Sequence, residues 1–197
     1  GGRPGARLAE TGAALDVEIW LSADRAAVML DATGEGLHKR GYRTGAGEAP
    51  LRENLAAAMV HLSRWRPGRP FADPLCGSGT IAIEAAMLGR GIAPGARRSF
   101  AAETWPFVPP DAWARAREEA RAAERRSEPL DIAASDRDGK VLDIARANAA
   151  KAGVADAIRF ERRDVDAFEA SGDYGCIVTN PPYGERLGDL REAEATY

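Results

Sequence analysis

The chain has 197 residues, 45% of them hydrophobic and 29% charged, with 27 Lys and Arg against 30 Asp and Glu for a formal net charge of -3. That length buries a proper core and favours one domain, or one domain plus a small appendage; the weakly acidic balance advertises no polyanion-binding surface, so nucleic-acid contact must come from local patches. No apolar run approaches the roughly 20 residues of a membrane span and no charged-then-apolar leader opens the chain, so a cytoplasmic protein without membrane contact is the simplest reading.

Cys76 and Cys176 have no metal-ligating neighbours and read as small buried residues of a reducing compartment, with no metal expected. The chain starts at Gly1 without Met and stops at Tyr197, directly after a motif that normally sits mid-sheet. A fragment of a longer protein is therefore expected.

Residues 1–14 are Gly-rich and polar with no clear period, and read as a loop or frayed terminus. From Asp16, Val17, Ile19 and Leu21 alternate with their neighbours, and Ala27-Val28-Met29-Leu30 follows Ser22-Ala23-Asp24-Arg25. This predicts two strands joined by a short turn. Leu37-His38-Lys39-Arg40-Gly41-Tyr42-Arg43 sets basic side chains around one aromatic ring. Such a segment suits either a solvated loop or a place for phosphates and a stacked base, with Lys39, Arg40, Tyr42 and Arg43 as the candidate contacts. Pro50 to Asn54 opens a helix with Leu51, Leu55, Met59 and Leu62 on one face, ending near Trp65. His61 is a packed or surface histidine and receives no role.

Pro70-Phe71-Ala72 reads as a short strand, Asp73-Pro74-Leu75-Cys76-Gly77-Ser78-Gly79-Thr80 as a glycine loop, and Ile81, Ala85 and Leu88 recur at helical spacing. A strand, glycine loop and helix bring a ligand close to main-chain N–H groups and suit a nucleotide-like molecule, although the same turn also occurs without any ligand. Gly89 to Pro110 is an irregular insertion, and Asp111 to Arg126 a solvated helix on which Arg115 and Glu119 can pair. Pro129 to Ala134 is a strand ending at Ser135-Asp136; Val141, Ile144, Ala145 and Asn148 mark the helix face behind it, and Gly153 its stop. Ile158-Arg159-Phe160 leads to Asp164, and Tyr174 to Thr179 leads to Asn180. The alternation over residues 70 to 180 predicts an α/β fold with a doubly wound, mostly parallel sheet and ligands at the C-terminal strand ends.

Asp73, Asp136 and Asp164 stand at successive strand ends and converge on one crevice in such a sheet. An acid after the second strand can accept hydrogen bonds from ribose hydroxyls. Asp136 follows the glycines at far more than the usual spacing of about 20 residues, which counts against a nicotinamide dehydrogenase but not against another adenosine-containing cofactor. Asn180-Pro181-Pro182-Tyr183 indicates the chemistry. The amino group of a base or a glutamine amide is a poor nucleophile because its lone pair is delocalised. An Asn side-chain oxygen and a backbone carbonyl that accept its N–H bonds favour the pyramidal nitrogen that attacks, prolines stiffen the loop, and Tyr183 offers a stacking face. Taken alone, the motif is also a rigid turn.

Asp73 to Thr80 together with Asn180 to Tyr183 resembles motifs I and IV of the S-adenosylmethionine-dependent amino methyltransferases. More narrowly, Leu37 to Arg43, Ala49-Pro50-Leu51-Arg52-Glu53-Asn54-Leu55-Ala56 and Asn180 to Gly188 are similar to the THUMP-associated RNA methyltransferases, and most of all to the bacterial enzymes that methylate guanine N2 in 23S ribosomal RNA. The resemblance implies a Rossmann-like class I methyltransferase sheet, truncated at its C-terminal end. It also implies a THUMP remnant over residues 1–32, a linker and leading helix over 33–69, and the incomplete methyltransferase domain over 70–197. S-adenosylmethionine is the implied cofactor. Asp73, Pro74, Cys76, Gly77, Ser78, Gly79 and Thr80 would hold its methionine moiety, Asp136 its ribose, and Asp164 with Val165 its adenine edge; Asn180, Pro181, Pro182 and Tyr183 would hold a target base that is flipped out or unpaired. RNA is the implied partner, ribosomal before transfer RNA, with the oligomeric state open. The alternatives are an amino methyltransferase of DNA adenine N6 or protein glutamine N5, and a non-catalytic RNA-binding module on a degenerate cofactor fold.

Overall fold

The computed structural model of the chain describes residues 14–44, 50–170 and 174–182. The alternating runs near the start form β1 (Asp16–Ser22) and β2 (Arg25–Asp31), paired antiparallel from Asp16 opposite Asp31 to Ser22 opposite Arg25. Ala23 and Asp24 between them have φ of 45° and 57°, the left-handed pair of a tight hairpin turn whose twist matches the strands. The hairpin belongs to a first unit made of residues 1–36 and 99–117. In that unit the expected irregular insertion contains a 3₁₀ turn, Ala101–Thr104, held by Glu103: its Oε1 accepts from the Phe100 N–H and from Arg117 Nη2, both at 2.8 Å.

Along the chain follow α1 (Glu53–Leu62), β3 (Phe71–Asp73), α2 (Thr80–Gly89), α3 (Ala112–Ala122), β4 (Ile132–Asp136), α4 (Gly139–Ala152), β5 (Ile158–Arg162) and β6 (Cys176–Ile177). A second unit, residues 37–98 and 118–197, carries the expected parallel sheet in the order β5-β4-β3-β6. Its register sets Phe71 opposite both Ile132 and Cys176, and Ile132 opposite Ile158. The chain steps outward from β3 through β4 to β5 and then returns to the far side of β3. That reversal makes a switch point beside β3, where an open parallel sheet has its ligand crevice.

The helices bury small residues more than large ones. α2 is buried from Thr80 to Met87 and again at Gly89, so the single stripe through Ile81, Ala85 and Leu88 becomes burial all round, with Leu88 the partly exposed position. On α1 the buried residues are Glu53, Ala56 and Val60, while Leu55 and Leu62 are 51% and 82% exposed. Of the expected face, Leu51 and Met59 pack against the core and Leu55 and Leu62 point away from it. Ala56 and Val60 are short enough for α1 to lie close against α2, which leucines would prevent. α4 likewise buries Leu142, Ala145, Asn148, Ala149 and Ala152, not Val141 and Ile144; it stops at Gly153, φ 76°. α3 buries nothing, and on it Arg115 pairs with Asp111 at 3.3 Å instead of with Glu119. No described helix is long and apolar enough to cross a membrane.

Candidate functional site

The glycine loop leaves β3 at Asp73 and enters α2 at Thr80. Gly77 and Gly79 have φ of 52° and 82°, a region that L side chains rarely adopt. A Cβ on Gly79 would lie 3.0 Å from the Ala145 Cβ, so this glycine also lets the start of α2 approach α4. A Cβ on Gly77 would meet nothing within 4 Å, and the loop borders open space there. The loop is fixed by main-chain bonds from Cys76 N–H to the Ser135 carbonyl at 2.9 Å and from Gly79 N–H to the Cys76 carbonyl at 2.8 Å. The Cys76 thiol is buried, and burial together with the Asp73 and Asp136 charges pushes it far up, so it is an inert packing group.

Asp136 is the last residue of β4, as the strand ending at Ser135-Asp136 predicts. Its Oδ2 accepts from the Gly77 N–H at 3.0 Å and its Oδ1 from the Asp138 N–H at 2.9 Å, which ties the second strand end to the glycine loop. Each carboxylate oxygen keeps a further lone pair. Asp164 is exposed and precedes the 3₁₀ turn Val165–Ala167 after β5. Asp73 is 1% exposed, and burial, opposed by hydrogen bonds from Thr179 and the Leu75 main chain, raises its carboxyl from 3.8 to about 7. Thr179 Oγ1 donates to Asp73 Oδ1 at 2.7 Å, whereas Oδ2 is buried with no hydrogen-bond partner among the described residues. This bond crosses the switch point, from the loop after β6 to the end of β3, and it ties Thr179, the residue before half-buried Asn180, to the acid of the glycine loop. Pro181 and Pro182 are half-buried; Tyr183 lies outside the described residues.

The basic segment expected to meet phosphate and base is largely folded into the core. Tyr42 is 1% exposed, its hydroxyl donates to Glu84 Oε1 at 3.1 Å, and its ring has no face left for a base. Arg40 Nη2 lies 3.5 Å from Glu84 Oε2, and Arg43 donates to Glu53 Oε1 and the Leu51 carbonyl, both at 2.9 Å. Two buried carboxylates would be costly unpaired, which is why Arg and Tyr from this segment turn inward. Lys39 is exposed, with its carbonyl accepting from Arg98 at 3.4 Å.

Two residues placed in the sequence only as element positions prove to hold the site. Asn148, on the buried stripe of α4, donates from Nδ2 to the Ser78 carbonyl at 3.1 Å and accepts at Oδ1 from the Thr44 N–H and hydroxyl at 2.8 and 2.9 Å. Its place as a polar residue within an apolar stripe is the signal for that role. Thr179, the polar end of the run Cys176 to Val178, is the other. A cavity of about 480 Å³ lies elsewhere, over the sheet beside Ala72, Ala133, Arg159, Phe168 and Ile177. At the strand ends instead, Asp136 bonds the glycine loop and Asp73 bonds Thr179, the residue before Asn180. No group of three or more metal-ligating side chains occurs among the described residues.

Residues 40–197 match the family described as UPF0020, RMKL-like, methyltransferase domain. "Putative RNA methyltransferase YpsC" of Bacillus subtilis (strain 168) is 50% identical over 188 residues, covering 95% of this chain and 49% of that protein. The solved structure of "a predicted N6-adenine-specific DNA methylase from Listeria monocytogenes str. 4b F2365" superposes with a TM-score of 0.89 at 46% identity, over 95% of this chain and 49% of that one. "SMU.472, a putative methyltransferase complexed with SAH" gives 0.87 at 45% identity, with the same coverage. The chain thus spans about half the length of these relatives.

Proposed function

From the premise that the chain belongs to the RMKL-like methyltransferase domain family, we propose that it is the cofactor-binding part of an enzyme that moves a methyl group from S-adenosylmethionine to the exocyclic N2 amine of a guanine in RNA, 23S ribosomal RNA before transfer RNA. The observation that supports this reading is the hydrogen bond of Thr179 to Asp73, which joins the residue before Asn180 to the acid of the glycine loop. Similarity to a protein named as an RNA methyltransferase supports the substrate class, and a relative with SAH in its structure supports the cofactor.

Two features of this chain fit such a cofactor. Asp73 Oδ2 is a buried acceptor without a partner among the described residues, suited to an ammonium group, and the open space beside Gly77 leaves room for a ligand against the main chain. Asp73 and Cys76 to Thr80 would hold the methionine end, Asp136 the ribose hydroxyls, and Asp164 with Val165 the adenine edge. When bound, the cofactor supplies an electrophilic methyl on a sulfonium.

This chain's residues prepare the amine. The Asn180 side-chain oxygen and the Pro181 carbonyl would each accept one amine N–H bond, which holds the lone pair out of conjugation and toward the methyl. Pro181 and Pro182 fix the loop so that this geometry exists before the base arrives, and Tyr183 would stack on the base.

One observation favours a second reading: the Listeria relative carries a name specifying adenine N6 in DNA, which demands the same amine geometry. The test incubates the complete protein with methyl-labelled S-adenosylmethionine and unmodified ribosomal RNA, transfer RNA, DNA or protein, and identifies the labelled product after digestion. N2-methylguanosine from ribosomal RNA is expected. N6-methyladenine in DNA would replace the first reading with the second, and methylglutamine in protein would overturn both.

A further inference from the structure

We propose that Thr179 is a positioning residue that couples the acid of the cofactor site to the amine-accepting loop, so that occupancy of one is felt by the other. The inference rests on the cofactor and motif roles given above. Three observations carry it. Thr179 Oγ1 donates to Asp73 Oδ1 at 2.7 Å, across the switch point between β3 and β6. The other oxygen, Oδ2, is buried and has no partner among the described residues, so the carboxylate is held with one oxygen committed to the protein and one available to a ligand. Thr179 is followed directly by Asn180 and then by Pro181-Pro182, and a chain stiffened by two prolines transmits a displacement of Thr179 instead of absorbing it.

The bond requires Asp73 to be an acceptor. Ionised, Asp73 accepts from the Thr179 hydroxyl and offers Oδ2 to a cationic group; protonated, it loses the charge that recognises the cation. Burial pushes this acid up to about 7 and its bond to Thr179 pulls it down. The titratable group that bears on it is Asp136 at the end of β4, whose charge raises it further; the Cys76 thiol in the glycine loop is itself pushed far up, in part by the Asp73 charge, and stays neutral, and Arg146 of α4 acts on that thiol. Removing the Thr179 hydroxyl leaves the carboxylate without its side-chain donor and moves its titration upward.

The test measures S-adenosylhomocysteine affinity calorimetrically from pH 5.5 to 8.5 for the complete wild-type protein, Thr179→Ser and Thr179→Val. Wild-type affinity is expected to fall as pH drops through about 7, approaching tenfold per pH unit below it. Thr179→Val should weaken binding about tenfold at pH 7 and shift the midpoint up by about one unit, while Thr179→Ser stays within about twofold of wild type. Hydrogen exchange then reads the coupling: saturating ligand should slow exchange in a peptide spanning residues 174–180 in wild type and Thr179→Ser, but not in Thr179→Val. Should Thr179→Val fail to fold, Thr179→Ala removes the same donor with no added methyl to place. A Thr179→Val or Thr179→Ala protein with wild-type affinity, pH midpoint and protection would overturn the role of Thr179 while leaving the cofactor site standing. A wild-type protein that binds no S-adenosylhomocysteine at any pH would overturn the functional reading itself.

Discussion

The Tyr42 hydroxyl donates to Glu84 Oε1 at 3.1 Å, and both side chains are buried. This joins a residue ahead of the sheet to the middle of α2, and Arg40 reaches the other oxygen of the same carboxylate. Tyr42→Phe removes one donor and leaves a buried Glu84 oxygen underpaired, so it should destabilise the fold by about 1–3 kcal/mol. Urea unfolding checks this, together with S-adenosylhomocysteine affinity, which should hold within about twofold. A stable variant that has lost RNA binding would instead restore Tyr42 as a base contact.

Asn148 closes the glycine loop from behind. Asn148→Ala takes away the donor to the Ser78 carbonyl and the acceptor for two Thr44 bonds. It should lower stability by about 2 kcal/mol and cofactor affinity by about tenfold, because Ser78 is then free to move. Unchanged calorimetric binding would show that the loop holds its shape without this clasp.

Gly79 and Gly77 separate two uses of glycine. Gly79→Ala combines a φ of 82° with a Cβ 3.0 Å from the Ala145 Cβ and should cost about 2 kcal/mol or more of stability. Gly77→Ala has the φ penalty alone, about 1 kcal/mol, but its methyl enters the space beside the loop and should cut cofactor affinity more than stability. Thermal unfolding with and without S-adenosylhomocysteine distinguishes them; equal loss of ligand stabilisation in both variants would count against a ligand beside Gly77.

Asp73 makes stability depend on pH in a definite direction. Its folded value of about 7 lies above the ordinary 3.8, so its contribution is fully present below about pH 4, declines as the unfolded chain ionises first, and is lost above about 7. A displacement of about three units is about 4 kcal/mol. Asp73→Asn has no such loss, so relative to wild type it should gain stability between pH 4.5 and 7.5. Parallel stability curves for the two proteins would place an ordinary, solvated carboxyl at this position.

The sheet was legible in the sequence because its signals are local: short apolar runs, a glycine pair after an apolar triplet, and acids at strand ends. The helix faces were legible only in part. In α1 the leucine spacing is regular, yet Ala56 and Val60 face the core, because packing against an alanine-rich α2 selects small residues and periodicity cannot tell which of two apolar faces is inward. In the segment Lys39 to Arg43, Lys39 is exposed as expected, whereas Arg40, Tyr42 and Arg43 turn inward for a different reason. The segment's charges look solvent-facing until Glu53 and Glu84 are known to be buried, and burial of an acid on a helix depends on partners 10 and 42 residues away in sequence. Thr179 and Asn148 are single polar residues whose meaning lies in what they touch.

The central claim is a division of labour, with the glycine loop and its acids holding the cofactor and Asn180 holding the amine. The most direct measurement compares Asn180→Ala with wild type, in the complete protein, for methyl transfer to unmodified ribosomal RNA and for S-adenosylhomocysteine affinity. The account predicts transfer reduced at least about a hundredfold with affinity within about twofold. A parallel collapse of cofactor affinity, or transfer that survives the substitution, would contradict it.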